Sequence, residues 1–306
     1  MNDSAPDITM IVPTWNRSGV LKEMLDSCCK FDVSNGLTWE LIVVDNNSTD
    51  DTREVAESYQ DRLPVRVVHE PQQGVSRARN AGFKAALGEL IVCTDDDVVL
   101  DPNWLQAYRK ASHDYPDSMY FGGKIETRFI GDPPEWATTG DPFFNAMLVR
   151  FDLGPEPRRL SDKEQPFGPN MAIRRRAFRE GARFNENLGR VGTSHVRGCE
   201  TSIFLELQER GDTGYWIPDA WVGHRVPMEN CNLRYLWKFY YGQGQTLMRL
   251  GMWKHGTSWR VTWRYLRRAI TGALLRRPGW QIQFGNWALH LGVEKEQRRI
   301  RREGGN

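Results

Sequence analysis

Four apolar segments in the first hundred residues alternate with segments of helical periodicity. Residues 8–12, 40–44, 64–69 and 90–93 lack regular polar alternation, which is typical of strands covered on both faces. Between the first two of them, Leu21, Met24, Leu25 and Cys28 recur at helical spacing. Strands separated by helices predict a parallel sheet with helices on both faces, that is, an α/β fold.

The pattern becomes less regular after Trp104. Three later segments predict strands, at residues 119–129, 170–176 and 215–226, and residues 200–210 predict a helix. Residues 131–141, rich in proline and glycine, predict a loop. Amphipathic segments near Tyr235 and Trp259 predict helices in the last part of the chain. We therefore expect a body over residues 1–228 and a helical appendage over residues 229–306.

Composition indicates a globular protein and no membrane span. The chain has 306 residues, of which 40% are hydrophobic and 26% charged. Five scattered cysteines show no metal-binding spacing, no apolar leader is present, and no apolar stretch approaches the ~18 residues that cross a bilayer. These features predict reduced thiols and a cytoplasmic location.

Charge is unevenly distributed along the chain. The net charge is +2, yet residues 229–306 contain 15 basic against 4 acidic residues and six of the twelve tryptophans. Arginines interleaved with tryptophans are typical of helices that lie on an anionic membrane surface. A pair of helices packed on the body or on a second subunit is the alternative interpretation. Nucleic-acid binding is disfavoured because no nucleic-acid-binding module is visible.

Three consecutive carboxylates, Asp95, Asp96 and Asp97, follow the apolar strand at residues 90–93. Ligands of parallel sheets bind beyond the carboxyl ends of the strands. Because alternate side chains of a strand share a face, we expect Asp95 and Asp97 to point one way and Asp96 the other, which suits a divalent cation bridged to a phosphate. An acidic turn before a helix that starts at residues 101–102 is the alternative.

Six segments together resemble family-2 glycosyltransferases of the GT-A fold. In order, they are IVPTWNR (11–17), LIVVDNNSTDDT (41–52), GVSRARNAG (74–82), GELIVCTDDDVVLDPNWL (88–105), FGPNMAIRR (167–175) and GCETSIFLELQERG (198–211). The resemblance covers about residues 8–226. It implies a Rossmann-like, mostly parallel central sheet flanked by helices, with a nucleotide-binding half over residues 1–105 and an acceptor half over residues 106–228. It also implies inverting sugar transfer from a nucleotide-linked donor, usually UDP-linked, with Mn²⁺ or Mg²⁺.

The resemblance also assigns residues to the donor site. Asp45 would accept a hydrogen bond from the imide of the base, although it could instead cap the turn at residues 46–48. Arg79 would lie near the diphosphate, its alternative being a surface helix charge. Gly168 and Asn170 would belong to a loop that closes on the donor sugar. The full implied set of donor contacts is Pro13, Thr14, Asn16, Arg17, Asp45, Asn47, Arg79, Asp95, Asp96, Gly168 and Asn170.

The metal ligands and the general base follow from the same resemblance. Asp97 matches the direct metal ligand, and His224 the histidine that completes the metal or diphosphate site, unless it is purely structural. The base is usually the second acid of a Glu-Asp pair at a helix start. Here Cys199-Glu200 stands at that position, so Glu200 is the candidate base and the first acid is absent. A helix N-terminal charge favoured by the macrodipole is the alternative for Glu200.

The resemblance therefore implies a non-processive, metal-dependent inverting glycosyltransferase. The Gln-x-x-Arg-Trp signature of processive members is absent. We expect a saccharide or lipid-linked acceptor in polysaccharide biosynthesis, met at the inner face of the plasma membrane. A nucleotidyltransferase is one rival, although residues 13–17 lack the glycines that hold a triphosphate. A non-catalytic nucleotide-sugar-binding protein is the other, because Cys199 replaces an acid.

Overall fold

The computed structural model describes residues 5–192, 196–253 and 257–303. Within these residues nine strands form one sheet. The strands are β1 (Ile8–Thr14), β2 (Trp39–Asp45), β3 (Val65–His69), β4 (Leu90–Cys93), β5 (Val98–Leu100), β6 (Tyr120–Ile130), β7 (Arg158–Arg159), β8 (Met171–Arg174) and β9 (Gly214–Pro227). Their order is β3-β2-β1-β4-β8-β6-β9-β5, and β7 pairs with β9.

The first four strands form the parallel half of the sheet. β2, β1 and β4 each contain a run of buried apolar residues, with Met10, Ile42 and Val92 fully buried. Parallel neighbours require crossover connections. Helices α1 (Ser18–Cys28), α2 (Thr52–Glu57) and α3 (Val75–Ala85) supply them. The parallel strands predicted from the apolar pattern are therefore present in this half.

The second half of the sheet is antiparallel. β8 pairs with β4 and β6, and β9 pairs with β5 and β7, all antiparallel. Three helices accompany these strands: α4 (Trp104–Asp114), α7 (Arg175–Arg179) and α8 (Cys199–Glu209). The sheet as a whole is mixed, because β8 joins the parallel half next to β4 but runs in the opposite direction.

Two local expectations were wrong. β4 ends at Cys93, so the acidic triplet lies on a turn before β5 and the alternation of faces does not apply to it. The loop at residues 131–141 contains a short helix, α5 (Glu135–Thr138).

The chain divides into two compact units. The first comprises Met1–Arg128, Val149–Asn187 and Cys199–Arg225, and the second Phe129–Leu148, Leu188–Gly198 and Val226–Asn306. The second unit thus includes segments that the sequence placed in the body. The predicted boundary at residue 228 and the division into two halves stay predictions.

Helices dominate the second unit. Besides α5 it contains α6 (Pro142–Leu148), α9 (Leu233–Arg249), α10 (Trp259–Leu274) and α11 (Trp280–Glu303). Phe144, Leu236, Phe239 and Ala288 are among the buried residues of its core. None of the described helices combines the length and the apolar character that a bilayer crossing requires.

Candidate active site

The carboxyl ends of the four parallel strands meet at one edge of the sheet. β1 ends at Thr14, β2 at Asp45, β3 at His69 and β4 at Cys93. The loops that leave this edge carry most of the predicted site residues. Ligands of open α/β sheets bind at this edge.

Arg17 spans two members of the acidic turn. Its guanidinium donates to Asp96 at 2.5 Å and to Asp97 at 3.0 Å, and the Thr14 hydroxyl donates to the other oxygen of Asp96 at 2.8 Å. Burial, opposed by the Arg17 charge, raises the pKa of Asp96 to about 7. Arg17 is nevertheless 41% exposed. The side chain is therefore accessible from solvent at this edge of the sheet.

Arg79 is a buried link between the acidic turn and α8. Its side chain is 1% exposed and donates to Asp95 at 3.1 Å and to Glu200 at 2.7 Å. The alternative of a surface helix charge is therefore wrong for Arg79. Buried guanidinium groups require such partners, because an unpaired charge in the interior is very costly.

Glu200 lies at the start of α8, beside a thiol. The Cys199 thiol is 3.0 Å from one carboxylate oxygen of Glu200, and burial raises the pKa of this thiol, so that it stays neutral. Burial alone would raise the pKa of Glu200, but the Arg79 charge and the hydrogen bonds from Cys199 and Arg79 lower it to about 2. The Glu200 side chain is 26% exposed. It is thus an ionised carboxylate within reach of a bound molecule.

His224 lies next to the acidic turn because β9 pairs with β5. Its Nε2 is 3.3 Å from Oδ1 of Asp97. Burial would raise the pKa of Asp97, but His224 and Arg17 hold it well below its ordinary value. Among the described residues, Asp97 Oδ1 and His224 Nδ1 are buried without a well-aligned hydrogen bond.

Asp97 and His224 fit a divalent cation that a diphosphate helps to bind. A carboxylate oxygen and an imidazole nitrogen are both suitable ligands for Mn²⁺. The described residues contain no cluster of three metal-binding side chains. Cations such as Mg²⁺ commonly take one or two carboxylates from the protein and the remaining ligands from substrate phosphates and water. Asp97 Oδ1, which lies beside His224 Nε2 but makes no well-aligned hydrogen bond, marks where the protein would contribute a ligand.

A second group of predicted residues surrounds Asp45. Asp45 accepts from the Ser48 amide at 2.9 Å, so it does cap the turn after β2. Asn16 links the loop after β1 to this turn, because its side-chain oxygen accepts from the Thr49 amide at 2.7 Å. Nδ1 of His69 lies 3.4 Å from the other carboxylate oxygen of Asp45. Sequence reasoning missed His69, although it ends β3 in register with Asp45.

For two other predicted residues of this region, Pro13 and Asn47, no hydrogen bond or ion pair of the side chain with another described residue defines a role. Pro13 is half-buried within β1, opposite Val44 of β2. Asn47 is exposed, with a φ of 67° at the tip of the turn. The donor contacts assigned to Pro13 and Asn47 stay predictions.

Gly168 and Asn170 share a 3₁₀ turn but serve different purposes. Asn170 is fully buried, and its amide oxygen accepts from Trp104 and Tyr108 at 2.9 and 2.7 Å. Its amide nitrogen donates to the carbonyls of Lys124 and Ala220 at 2.8 and 2.6 Å. With each atom engaged twice, Asn170 ties core elements together. This does not fit the expectation that it contacts the donor sugar.

Gly168 leaves room for the Arg79–Glu200 pair, so Gly168→Ala is expected to disturb both groups. A Cβ at this position would collide with Arg79 Nη2 and Glu200 Oε1. We expect a loss of about 1–3 kcal/mol in the free energy of unfolding, measured by urea denaturation, because overpacking forces buried groups apart. Gly19→Ala is the control: its φ is ordinary, open space surrounds it, and its helical position favours alanine. Equal stability of the two variants would contradict the expectation.

The carboxyl edge of the sheet thus brings together an acidic turn, a buried arginine and a glutamate at a helix start, at the place where α/β sheets bind their ligands. Residues 9–181 match the family described as glycosyl transferase family 2, and the chain belongs to that family. The predicted family resemblance and enzyme class are therefore confirmed.

Two curated relatives illustrate the breadth of this family. The succinoglycan biosynthesis protein ExoM of Rhizobium meliloti is 27% identical over 233 residues, which cover 75% of this chain and 71% of the relative. The glucosyl-dolichyl phosphate glucuronosyltransferase of Haloferax volcanii is 24% identical over 190 residues, which cover 61% of this chain. The matched region spans 59% of the length of this second relative.

Solved structures share the fold. A mannosyltransferase from Pyrobaculum calidifontis, in complex with GDP-Man and Mn²⁺, has a TM-score of 0.60 at 18% identity, covering 99% of this chain and 76% of that one. Residues 1–349 of Staphylococcus aureus TarS, in complex with UDP-GlcNAc, have a TM-score of 0.56 at 15% identity, covering 96% and 92%. The expected GT-A fold class, with C-terminal helices, is thereby confirmed.

Proposed function

We propose that this protein transfers one sugar at a time, with inversion, from a UDP-linked donor to a saccharide or lipid-linked acceptor. The observation that carries the proposal is the link from Glu200 through buried Arg79 to Asp95 on the acidic turn. This link supports Glu200 as the base, because it joins Glu200 through Arg79 to the acidic turn that also carries Asp97.

The chemistry requires a base on one side of the donor and charge stabilisation on the other. As the acceptor oxygen bonds to the anomeric carbon, its proton passes to the Glu200 carboxylate. The bond between that carbon and the diphosphate oxygen breaks, and its electron pair leaves with the nucleoside diphosphate. A bound divalent cation would neutralise the charge that grows on this leaving group.

The protein contributes charged and polar side chains that suit these two tasks. Asp97 and His224 would hold the cation, while the exposed guanidinium of Arg17 would turn toward the diphosphate. Arg79 keeps Glu200 ionised, because its charge favours the carboxylate form. An ionised carboxylate can accept the acceptor hydroxyl proton at neutral pH.

The names of the relatives support the class of acceptor. One acts on a dolichyl phosphate-linked glucose and the other serves succinoglycan biosynthesis. We extend these to a lipid-linked or growing saccharide, met at the inner face of a membrane. The solved neighbours carry UDP-GlcNAc in one case and GDP-Man in the other. The neighbours thus differ in nucleotide, and we test UDP against GDP in the next experiment.

Asp97→Asn is expected to abolish the Mn²⁺-dependent part of nucleotide binding. In the wild-type protein, Mn²⁺ with UDP should raise the melting temperature by several degrees, because ligands of the native state stabilise it. The variant should lose most of this increment, since an amide binds cations far more weakly than a carboxylate does. Thermal shift with UDP or GDP, with and without Mn²⁺, measures it.

Asp114→Asn, at the partly exposed end of α4, is the matched control and should respond like the wild type. A full Mn²⁺ response in Asp97→Asn would contradict the assignment of Asp97. A larger increase in melting temperature with GDP than with UDP would overturn the choice of uracil as the nucleobase of the donor.

The products of the reaction separate the rival functions. A glycosyltransferase releases nucleoside diphosphate from a nucleotide sugar. A nucleotidyltransferase would instead release pyrophosphate from a nucleoside triphosphate and a sugar phosphate. A non-catalytic binding protein would bind the donor and release neither.

A further inference from the structure

Helix α10 places its small residues inward and its large apolar residues outward. Its buried residues are Thr262, Ala269 and Gly272, and a Cβ on Gly272 would collide with Trp280 at the start of α11. A helix of a globular protein usually buries its large apolar residues and exposes its polar ones. α10 therefore packs on α11 through small side chains and through Tyr265, whose ring stacks on His290 of α11 with the ring centroids 5.1 Å apart.

The large apolar residues of α10 form an exposed stripe. Trp259, Trp263, Ile270 and Leu274 are separated by four, seven and four residues, so that they share one side of the helix. Trp259 is 69% exposed and Leu274 is 78% exposed. Contiguous apolar surface of this kind marks an interaction site.

A stripe of arginines runs beside the apolar stripe. Arg260, Arg264, Arg267 and Arg268 are all exposed, and α10 contains no acidic residue. None of these four arginines forms an ion pair with another described residue, whereas Arg298 and Arg299 of α11 pair with Glu294, Glu296 and Glu303. The positive charge of α10 is thus left for an external partner.

We propose that α10 is an interfacial helix that docks this protein on an anionic lipid bilayer. Tryptophan, isoleucine and leucine side chains would enter the boundary between headgroups and acyl chains, while the neighbouring arginines contact lipid phosphates. A second copy that docked through the same helix face would bring like-charged arginines together, so charge complementarity favours the lipid surface over this mode of self-association. The inference does not depend on the sugar-transfer chemistry.

Vesicle flotation of the full chain tests the docking helix. The wild-type protein should float with vesicles that mix phosphatidylcholine and phosphatidylglycerol, and float weakly with phosphatidylcholine alone. The triple substitution Trp259→Ser, Trp263→Ser, Leu274→Ser should lower partitioning by on the order of tenfold or more, because it removes the apolar side chains that would insert. Because the three positions are exposed, the melting temperature of the variant and its transfer of sugar to a soluble acceptor should stay unchanged.

Two further variants sharpen the test. Val33→Ser with Leu87→Ser changes two exposed apolar residues of the first unit, 48% and 49% exposed, and should float like the wild type. Replacing Arg260, Arg264 and Arg267 by glutamine should remove the preference for phosphatidylglycerol, and replacing them by lysine should retain it. Glu200→Gln should float normally, so a failure of the proposed function is distinguishable from a failure of docking.

Three results would overturn the inference. The first is a wild-type protein that does not float with anionic vesicles at low salt. The second is a triple variant that floats as well as the wild type. The third is a wild-type dimer, seen by light scattering, that the triple variant converts to a monomer without any vesicle binding by either form. That result would mean that a second copy covers the stripe.

Discussion

Glu200→Gln is expected to lower the rate of sugar transfer by roughly 10²–10⁴-fold, because general base catalysis contributes about that much. The amide keeps the shape of the carboxylate but cannot take the proton of the acceptor hydroxyl. Donor affinity should change little, since the side chain faces the acceptor in the proposed chemistry. Transfer assays, combined with calorimetric titration of the nucleotide sugar, measure the two quantities separately.

Glu206→Gln is the matched control for this substitution. Glu206 lies on the same helix, is 38% exposed and pairs with Arg210. It should keep the wild-type rate, because it lies outside the acidic cluster. Near-wild-type turnover in Glu200→Gln would show that another group is the base. A rate loss matched by an equal loss of donor affinity would also contradict the assignment.

The pH dependence of stability provides a second readout for Glu200→Gln. The folded-state pKa of about 2 lies below the ordinary value of 4.5. The ionised carboxylate therefore stabilises the fold above about pH 4.5, and this contribution disappears as the pH falls toward 2. The stability difference between the wild type and the variant should be full at neutral pH and shrink across that interval.

Arg79→Ala is expected to lower the free energy of unfolding by about 3–5 kcal/mol, because it leaves two carboxylates of a buried network unpaired. Asp95 and Glu200 would both lose their guanidinium partner, and a cavity would replace the side chain. Arg79→Lys should lose less, since an ammonium keeps the charge but lacks the planar fork that reaches both acids. Urea denaturation at neutral pH measures these differences.

Arg77→Ala is the control on the same helix. Arg77 pairs with Glu186, and both side chains are partly exposed, at 35% and 41%. Such surface pairs contribute about 0–1 kcal/mol. If the two alanine variants were equally stable, the Arg79 network would not be the structural link inferred from its contacts.

The parallel half of the fold could be predicted from the sequence because each of its strands contains a continuous apolar run. Continuous aliphatic runs such as Leu41 to Val44 are tolerated only where both faces of a strand are covered. The antiparallel half lacks such a local signal. Its strands pair across long sequence separations, as Val98 does with His224. The composition of β5 or of β9 does not indicate which strand it pairs with.

The candidate site shows the same division between composition and contact. The motif resemblance assigned Arg79, Glu200 and Asn170 to the site. The contacts distinguish these residues, because all hydrogen-bonding capacity of the Asn170 side chain is used in the core, whereas the Glu200 carboxylate is partly exposed. The aliphatic strands and the acidic segment after Cys93 were determined by the sequence itself, since burial and charge are properties of each residue. Only the tertiary structure decided which charges neutralise one another, because ion pairing depends steeply on distances that the folding of remote segments sets.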